Sequence, residues 1–225
     1  MITVRDVGFL YGKQRILDGL TFTAQPGECV VFAGHNGAGK STALSLIAGA
    51  LRPTSGSVQL KGRVGLVPQG TALFEDMTVR DNLAFFAGAA GCRVPEKLPF
   101  GVERNAGKRV SRLSGGMKKQ VSIACALLGD PQILLLDEPC AGLDVIYREE
   151  LIDLIRTLKQ EGRTVIYVSH EPIEFCGIYD KLIFFGEKPV LYDRKDLTRE
   201  GDRCSELYAQ FSALFHADDL RGEDK

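Results

Sequence analysis

The stretch Gly34-His35-Asn36-Gly37-Ala38-Gly39-Lys40-Ser41-Thr42 constrains this chain most, because it reads as glycine, four residues, then Gly-Lys-Ser/Thr. Glycines at these places let the backbone curl until its N–H groups converge on one point. Lys40 can then reach terminal phosphates, and the Ser41 hydroxyl can hold Mg²⁺. The pattern is a cradle for a polyphosphate.

Its flanks decide whether the match is real, since such a loop must join a buried strand to the start of a helix. Upstream, Cys29-Val30-Val31-Phe32-Ala33 is an unbroken apolar run, as expected of a parallel strand covered on both faces. Downstream, Leu44, Ile47, Ala48 and Leu51 recur at helical spacing until Pro53. A helix starting at Lys40 would turn its positive end toward the phosphates.

A second buried strand, this one bearing carboxylates, follows. Ile133-Leu134-Leu135-Leu136-Asp137-Glu138 is apolar and ends in two acids, and ligands of open α/β sheets sit beyond the carboxyl ends of strands. Asp137 can therefore hold Mg²⁺ and Glu138 can orient and deprotonate a water. Val165 to Val168 is another buried strand. Between the two, Tyr147, Leu151, Leu154, Ile155 and Leu158 mark one face of a helix capped by Asp144 and ended by Gly162. Strand, helix, parallel strand makes the core α/β.

The remaining elements are shorter. Ile2 to Tyr11 and Leu20 to Thr23 read as strands joined by a polar turn, as do Ser57 to Leu60 and Val64 to Val67 around Lys61-Gly62. From about Gln69 to Leu128 the chain changes to loops and helices. Gly88 to Gly107 is a poor helix prospect because it holds Pro95, Pro99 and several glycines. Leu182 to Phe185 is a last strand, Glu206 to Phe215 a last helix, and residues 217–225 a polar tail expected to fray.

Composition narrows the class. The 225 residues, 44% hydrophobic and 25% charged with a net charge of −1, fit a globular domain with no global bias toward nucleic acid or an anionic membrane. The longest apolar run, Ile123 to Leu128, is far short of a membrane span, so any span must come from another chain. The start of the chain carries no secretory pattern, which places the expected location in the cytoplasm. The six cysteines are widely spaced and are expected to be free thiols.

Leu113-Ser114-Gly115-Gly116-Met117-Lys118-Lys119-Gln120 resembles the signature motif of ATP-binding cassette (ABC) ATPases, and it lies shortly before the carboxylate strand, as in that family. Gln69 resembles the family's Q-loop glutamine, Ala141-Gly142-Leu143-Asp144 its D-loop, His170 its switch histidine and Tyr11 its adenine-stacking aromatic. The resemblance covers nearly the whole chain, with its motifs in order.

It implies an α/β P-loop NTPase (RecA-like) core from 1–68 and 129–225, with an N-terminal antiparallel β subdomain. A short helical subdomain over about 69–128 carries the signature. ATP and Mg²⁺ are the implied ligands: residues 34–42, Tyr11 and Ser114-Gly115-Gly116 would bind nucleotide, and Ser41, Gln69 and Asp137 the metal. Glu138, His170 and Gln69 would serve the chemistry.

The implied partners are a second cassette, identical or related, and a transmembrane permease subunit. Ser114 to Gly116 and Asp144 would lie at the cassette interface, because Ser-Gly-Gly opens a helix and offers an anion site to the nucleotide of the other copy. Localisation would be peripheral, on the inner face of the cell membrane.

Residues 171–225 leave no room for a regulatory domain, which tilts the expectation toward an exporter. The alternative is a soluble cassette ATPase that remodels a cytoplasmic partner. Cys140 stands where the family carries a small hydroxyl residue and is expected to be tolerated and open to alkylation. Lys118 and Lys119 are expected on a solvated helix face, and His216 carries no expected role.

Overall fold

A computed structural model describes residues 1–140, 144–197 and 204–222, with side chains described to residue 215. Ala141, Gly142 and Leu143 of the D-loop, residues 223–225 of the tail and the side chain of His216 lie outside the described residues.

Strand β3 (Cys29–Gly34) is buried at all six positions, as its apolar run requires. It sits inside a six-stranded sheet of order β5-β6-β7-β3-β8-β9. The neighbours are β5 (Val64–Val67), β6 (Ile133–Asp137), β7 (Thr164–Val168), β8 (Lys181–Phe185) and β9 (Pro189–Asp193). All pairings are parallel except β8 with β9, a hairpin whose second strand the sequence pattern did not reveal.

A smaller antiparallel sheet of order β2-β1-β4 packs beside it, from β1 (Ile2–Tyr11), β2 (Gln14–Ala24) and β4 (Ser55–Leu60). β2 starts earlier than expected because it pairs with β1 back to Gln14 opposite Tyr11.

Successive residues of the central strands serve opposite layers, as the two-residue period of a strand demands. Val31, Leu134, Leu136 and Val165 face the layer of helix α4 (Val145–Gln160) and the C-terminal helices. Val30, Phe32, Leu135 and Ile166 face the small sheet and helix α1 (Lys40–Ile47).

A third apolar cluster belongs to the helical subdomain, where α2 (Val79–Ala90) and α3 (Gly115–Leu127) pack through Leu83, Val121 and Ala124. Here α2 takes in Gly88 and ends at left-handed Gly91, one turn into the stretch expected to resist helix. The Thr78–Asp81 capping box nucleates it. Beyond it the chain forms only short 3-10 turns at Pro99–Asn105 and Val110–Arg112.

Two expectations about the C-terminal part are corrected. Cys176 and Cys204 form a disulfide with Cα atoms 5.4 Å apart, whereas Cys29, Cys92, Cys125 and Cys140 are free. The pairing is tertiary: Phe175 of the short helix α5 (Pro172–Phe175), next to Cys176, packs against Phe211 of the last helix. After α6 (Arg194–Leu197), that last helix, α7, runs Ser205–Gly222, beyond the expected end at Phe215. No described helix is long and apolar enough to cross a membrane.

Gly65 on β5 fixes how closely the core meets the helical subdomain. A Cβ there would stand 2.2 Å from the carbonyl oxygen of Ala126 on α3. Gly65→Ala should therefore destabilise the protein by about 1 to 3 kcal/mol through overpacking. Denaturant titration checks this; an unchanged midpoint would contradict the close approach.

Candidate nucleotide site

Four strands deliver their carboxyl ends to one edge of the large sheet: β3 to Gly34, β5 to Gln69, β6 to Asp137 and Glu138, and β7 to His170. Parallel pairing brings these ends together, as the switch-point rule for open sheets anticipates.

The phosphate loop turns at Gly34 with φ 132°, where a Cβ would lie 2.3 Å from the Phe185 carbonyl oxygen, so only glycine fits. Gly39 occupies the N-cap of α1 in the left-handed region, and no side chain caps the helix. Its first-turn amides therefore remain to be met by an anion.

Lys40 is buried and folds back over the loop, donating to the carbonyl oxygens of Gly34 at 2.8 Å and His35 at 2.7 Å. Burial lowers its pKa, and the nearby Glu138 and Asp137 partly restore it. A cleft of about 280 Å³ opens here, lined by Asn36, Gly37, Lys40, Ser41, Gln69 and Glu138 among others. Gly39 and Thr42 also line it, as does Ile16 of β2, which belongs to no motif. Ala38 instead packs against the core, and the His35 ring meets Phe215 of α7 edge-on at 4.6 Å.

The two acids have different surroundings. Asp137 is buried, and burial raises its pKa against the opposing hydrogen bond from Ser41. Its Oδ1 has no hydrogen-bond partner among the described residues. A buried carboxylate oxygen left unpaired beside a serine hydroxyl fits a hard cation.

Glu138 follows with φ 47°, a left-handed conformation that non-glycine residues rarely hold away from functional sites. Its Oε2 accepts a hydrogen bond from Gln69 Nε2 at 2.9 Å, and its Oε1 lies 3.7 Å from His170 Nδ1. The three residues expected to serve the chemistry thus converge on one carboxylate.

Other expected residues stand apart from the cleft. Tyr11, 54% exposed at the end of β1, packs edge-on against Phe9 and does not line it. Ser114 caps α3 by accepting from the Met117 amide at 3.2 Å, with Gly115 and Gly116 opening the helix. Asp144 caps α4 by accepting from the Tyr147 amide at 3.1 Å. A larger cavity of about 610 Å³ lies at the opposite end of β5, near Arg63 and Arg163, away from all these groups. The convergent polar groups line the smaller cleft instead.

Two expectations fail. Lys119 is not on a solvated face: it is 4% exposed and donates to the carbonyl oxygens of Pro68 at 3.1 Å and Gln69 at 3.0 Å. Lys118 does reach outward, pairing with Glu75 at 2.6 Å. Cys140 is buried against Tyr167, whose hydroxyl lies 3.1 Å from its Sγ, and burial pushes the thiol up to about 11. A buried thiol with so little thiolate is inert.

Sequence reasoning also missed the support behind His170. Ser169 Oγ donates to Glu174 Oε2 at 2.6 Å and accepts from the Glu171 amide at 3.0 Å, fixing the backbone around the histidine. The available signal was a serine directly after an apolar strand, with a glutamate five positions on.

A phosphate loop at a parallel sheet edge, paired acids, and a glutamine and histidine meeting one of them define a phosphate-loop nucleotide-binding domain. Comparison with known proteins narrows the class. The ABC transporter family model matches residues 17–141. The Nod factor export ATP-binding protein I of Paraburkholderia xenovorans (strain LB400) is 41% identical over 180 residues, which cover 71% of this chain and 59% of that protein. Linearmycin resistance ATP-binding protein LnrL of Bacillus subtilis (strain 168) is 34% identical over 222 residues, covering 86% and 71%.

A solved ATP binding subunit of an ABC transporter superposes with a TM-score of 0.83 at 26% identity, covering 94% of this chain and 99% of that one. The chain belongs to the ATP-binding cassette family of ABC transporters. It spans about three fifths of the Nod factor export protein.

In the folded protein iodoacetamide should label half-buried Cys92 well before Cys140. Peptide mass spectrometry reads the order, and equal labelling would contradict the burial of Cys140.

Proposed function

We propose that this chain binds ATP with Mg²⁺ in the cleft beside Lys40, hydrolyses it, and drives a separately encoded membrane permease in the export direction. The observation that supports this best is the convergence of Gln69 and His170 on Glu138, beside the Lys40 loop. In this reading the loop amides and Lys40 hold the terminal phosphates, with the lysine exchanging its two carbonyl partners for phosphate oxygens. Asp137 and Ser41 would hold the metal, which supplies positive charge against the phosphates. Glu138 accepts a proton from the attacking water as the bond from the terminal phosphorus to its bridging oxygen breaks. Gln69 and His170 keep that carboxylate and water in line.

Ser114 lies exposed at the tip of α3 outside its own cleft, so its amides and hydroxyl are available to nucleotide held by a second cassette. Val145, Ile146 and Ile173 are exposed apolar residues beside Asp144 and His170, and an interface between cassettes would cover them. Phe74, Phe85 and Phe86 form a mutually packed aromatic group on the helical subdomain, with Phe74 and Phe85 largely exposed. Such a surface suits the permease, and docking there would place the chain on the inner face of the membrane. The export direction follows the relatives, whose names specify export and resistance.

Glu138→Gln should retain ATP binding and lose roughly 10² to 10⁴ in turnover, about 3 to 5 kcal/mol of barrier. Phosphate release with purified protein measures it, and wild-type turnover would remove Glu138 from the chemistry. Lys40→Ala should weaken ATP binding itself; unchanged affinity by calorimetry would count against the cradle.

A further inference from the structure

We infer that Lys119 is a positioning residue that couples the signature helix to the Gln69 loop, so that Ser114 and Gln69 move as one unit. The inference rests on the ATPase reading above. Lys119 belongs to α3, whose apolar face is part of the helical cluster, whereas Pro68 and Gln69 continue β5 of the core sheet. Its ammonium therefore bridges the first turns of α3 and the loop that follows β5, whereas the apolar tie between α3 and the core sheet lies further along, at Ile123 and Ala126.

Burying an ammonium is costly unless it is hydrogen-bonded and near opposite charge, and both conditions are met. The Pro68 and Gln69 carbonyls accept from it, and Asp137 and Glu138 favour its charged form from nearby. Methionine would fill the same space at less cost, so a charge placed here points to a connection rather than to packing.

The connection continues in both directions. The side chain of Gln69, whose backbone Lys119 holds, donates to Glu138. On the other side, α3 begins at the Ser114 cap. Lys118 also ties α3 to a neighbouring segment through Glu75, but that pair faces solvent, where such links contribute little. Lys119 is thus the buried link in a short path from the carboxylate to the helix tip.

The test is a double-mutant cycle in the full chain, read as steady-state ATP hydrolysis. Lys119→Met should lower kcat roughly 10- to 100-fold, as loss of a supporting partner does, with KM for ATP nearly unchanged. Lys119→Arg, which keeps the donors, should recover most of it. In a Gln69→Ala background, Lys119→Met should add little.

Equal losses in both backgrounds, or a change confined to KM, would overturn the inference. If Lys119→Met does not fold, Lys119→Gln, which keeps N–H donors but not charge, enters the same cycle. If the wild-type chain shows no turnover, the ATPase reading fails by itself. Hydrogen exchange then decides the present inference: Lys119→Met should raise exchange both at the end of β5 and in the first turns of α3, and unchanged exchange in α3 would overturn it.

Discussion

The fold depends on how β3 hands over to α1. A strand buried on both faces ends in a glycine that no other residue can replace, and the next turn leaves its amides uncapped beneath a buried lysine. Lys40 offsets part of its burial by bonding two loop carbonyls. That arrangement keeps the loop curled while leaving a cation and a ring of N–H groups aimed at one cleft. The parallel order of the sheet then decides which other residues can join them, because β5, β6 and β7 run parallel to β3 and end at the same edge.

Electrostatics at that edge are deliberately unbalanced. Asp137 is buried with an unpaired oxygen and a raised pKa, and Glu138 is held in a strained backbone conformation by its neighbours. Structures tolerate such groups where binding relieves them. The helical subdomain meets the core through Ile123 in the core cluster and the close packing at Gly65, and near this edge through the buried ammonium of Lys119. A helix attached this way can report the state of the cleft through its first turns while its later turns stay anchored in the core.

Much of this was legible in the sequence because the phosphate loop, the apolar strands and the paired acids are local patterns. Cys29 to Ala33 and Ile133 to Leu136 could hardly be anything but central strands, and Asp144 and Ser114 cap helices as their spacing required. What stayed hidden was tertiary. Lys119 looks like a surface lysine beside Lys118 until the Gln69 loop closes over it. Cys140 looks reactive until Tyr167 and the core surround it. The Cys176–Cys204 bond joins residues 28 apart through helices that only packing brings together. β9 went unread because its Pro189–Asp193 stretch is half exposed and lacks a clean alternation.

The proposed function turns on one triphosphate gripped by the Lys40 loop of one copy and the Ser114 helix tip of another. The most direct measurement is a crystal structure with a non-hydrolysable ATP analogue and Mg²⁺. The account predicts terminal phosphate oxygens bonded to Lys40 Nζ, now released from the Gly34 and His35 carbonyls, and to Ser114 of a second copy. Nucleotide bound away from Lys40, or with Ser114 of every neighbouring copy out of reach, would contradict it.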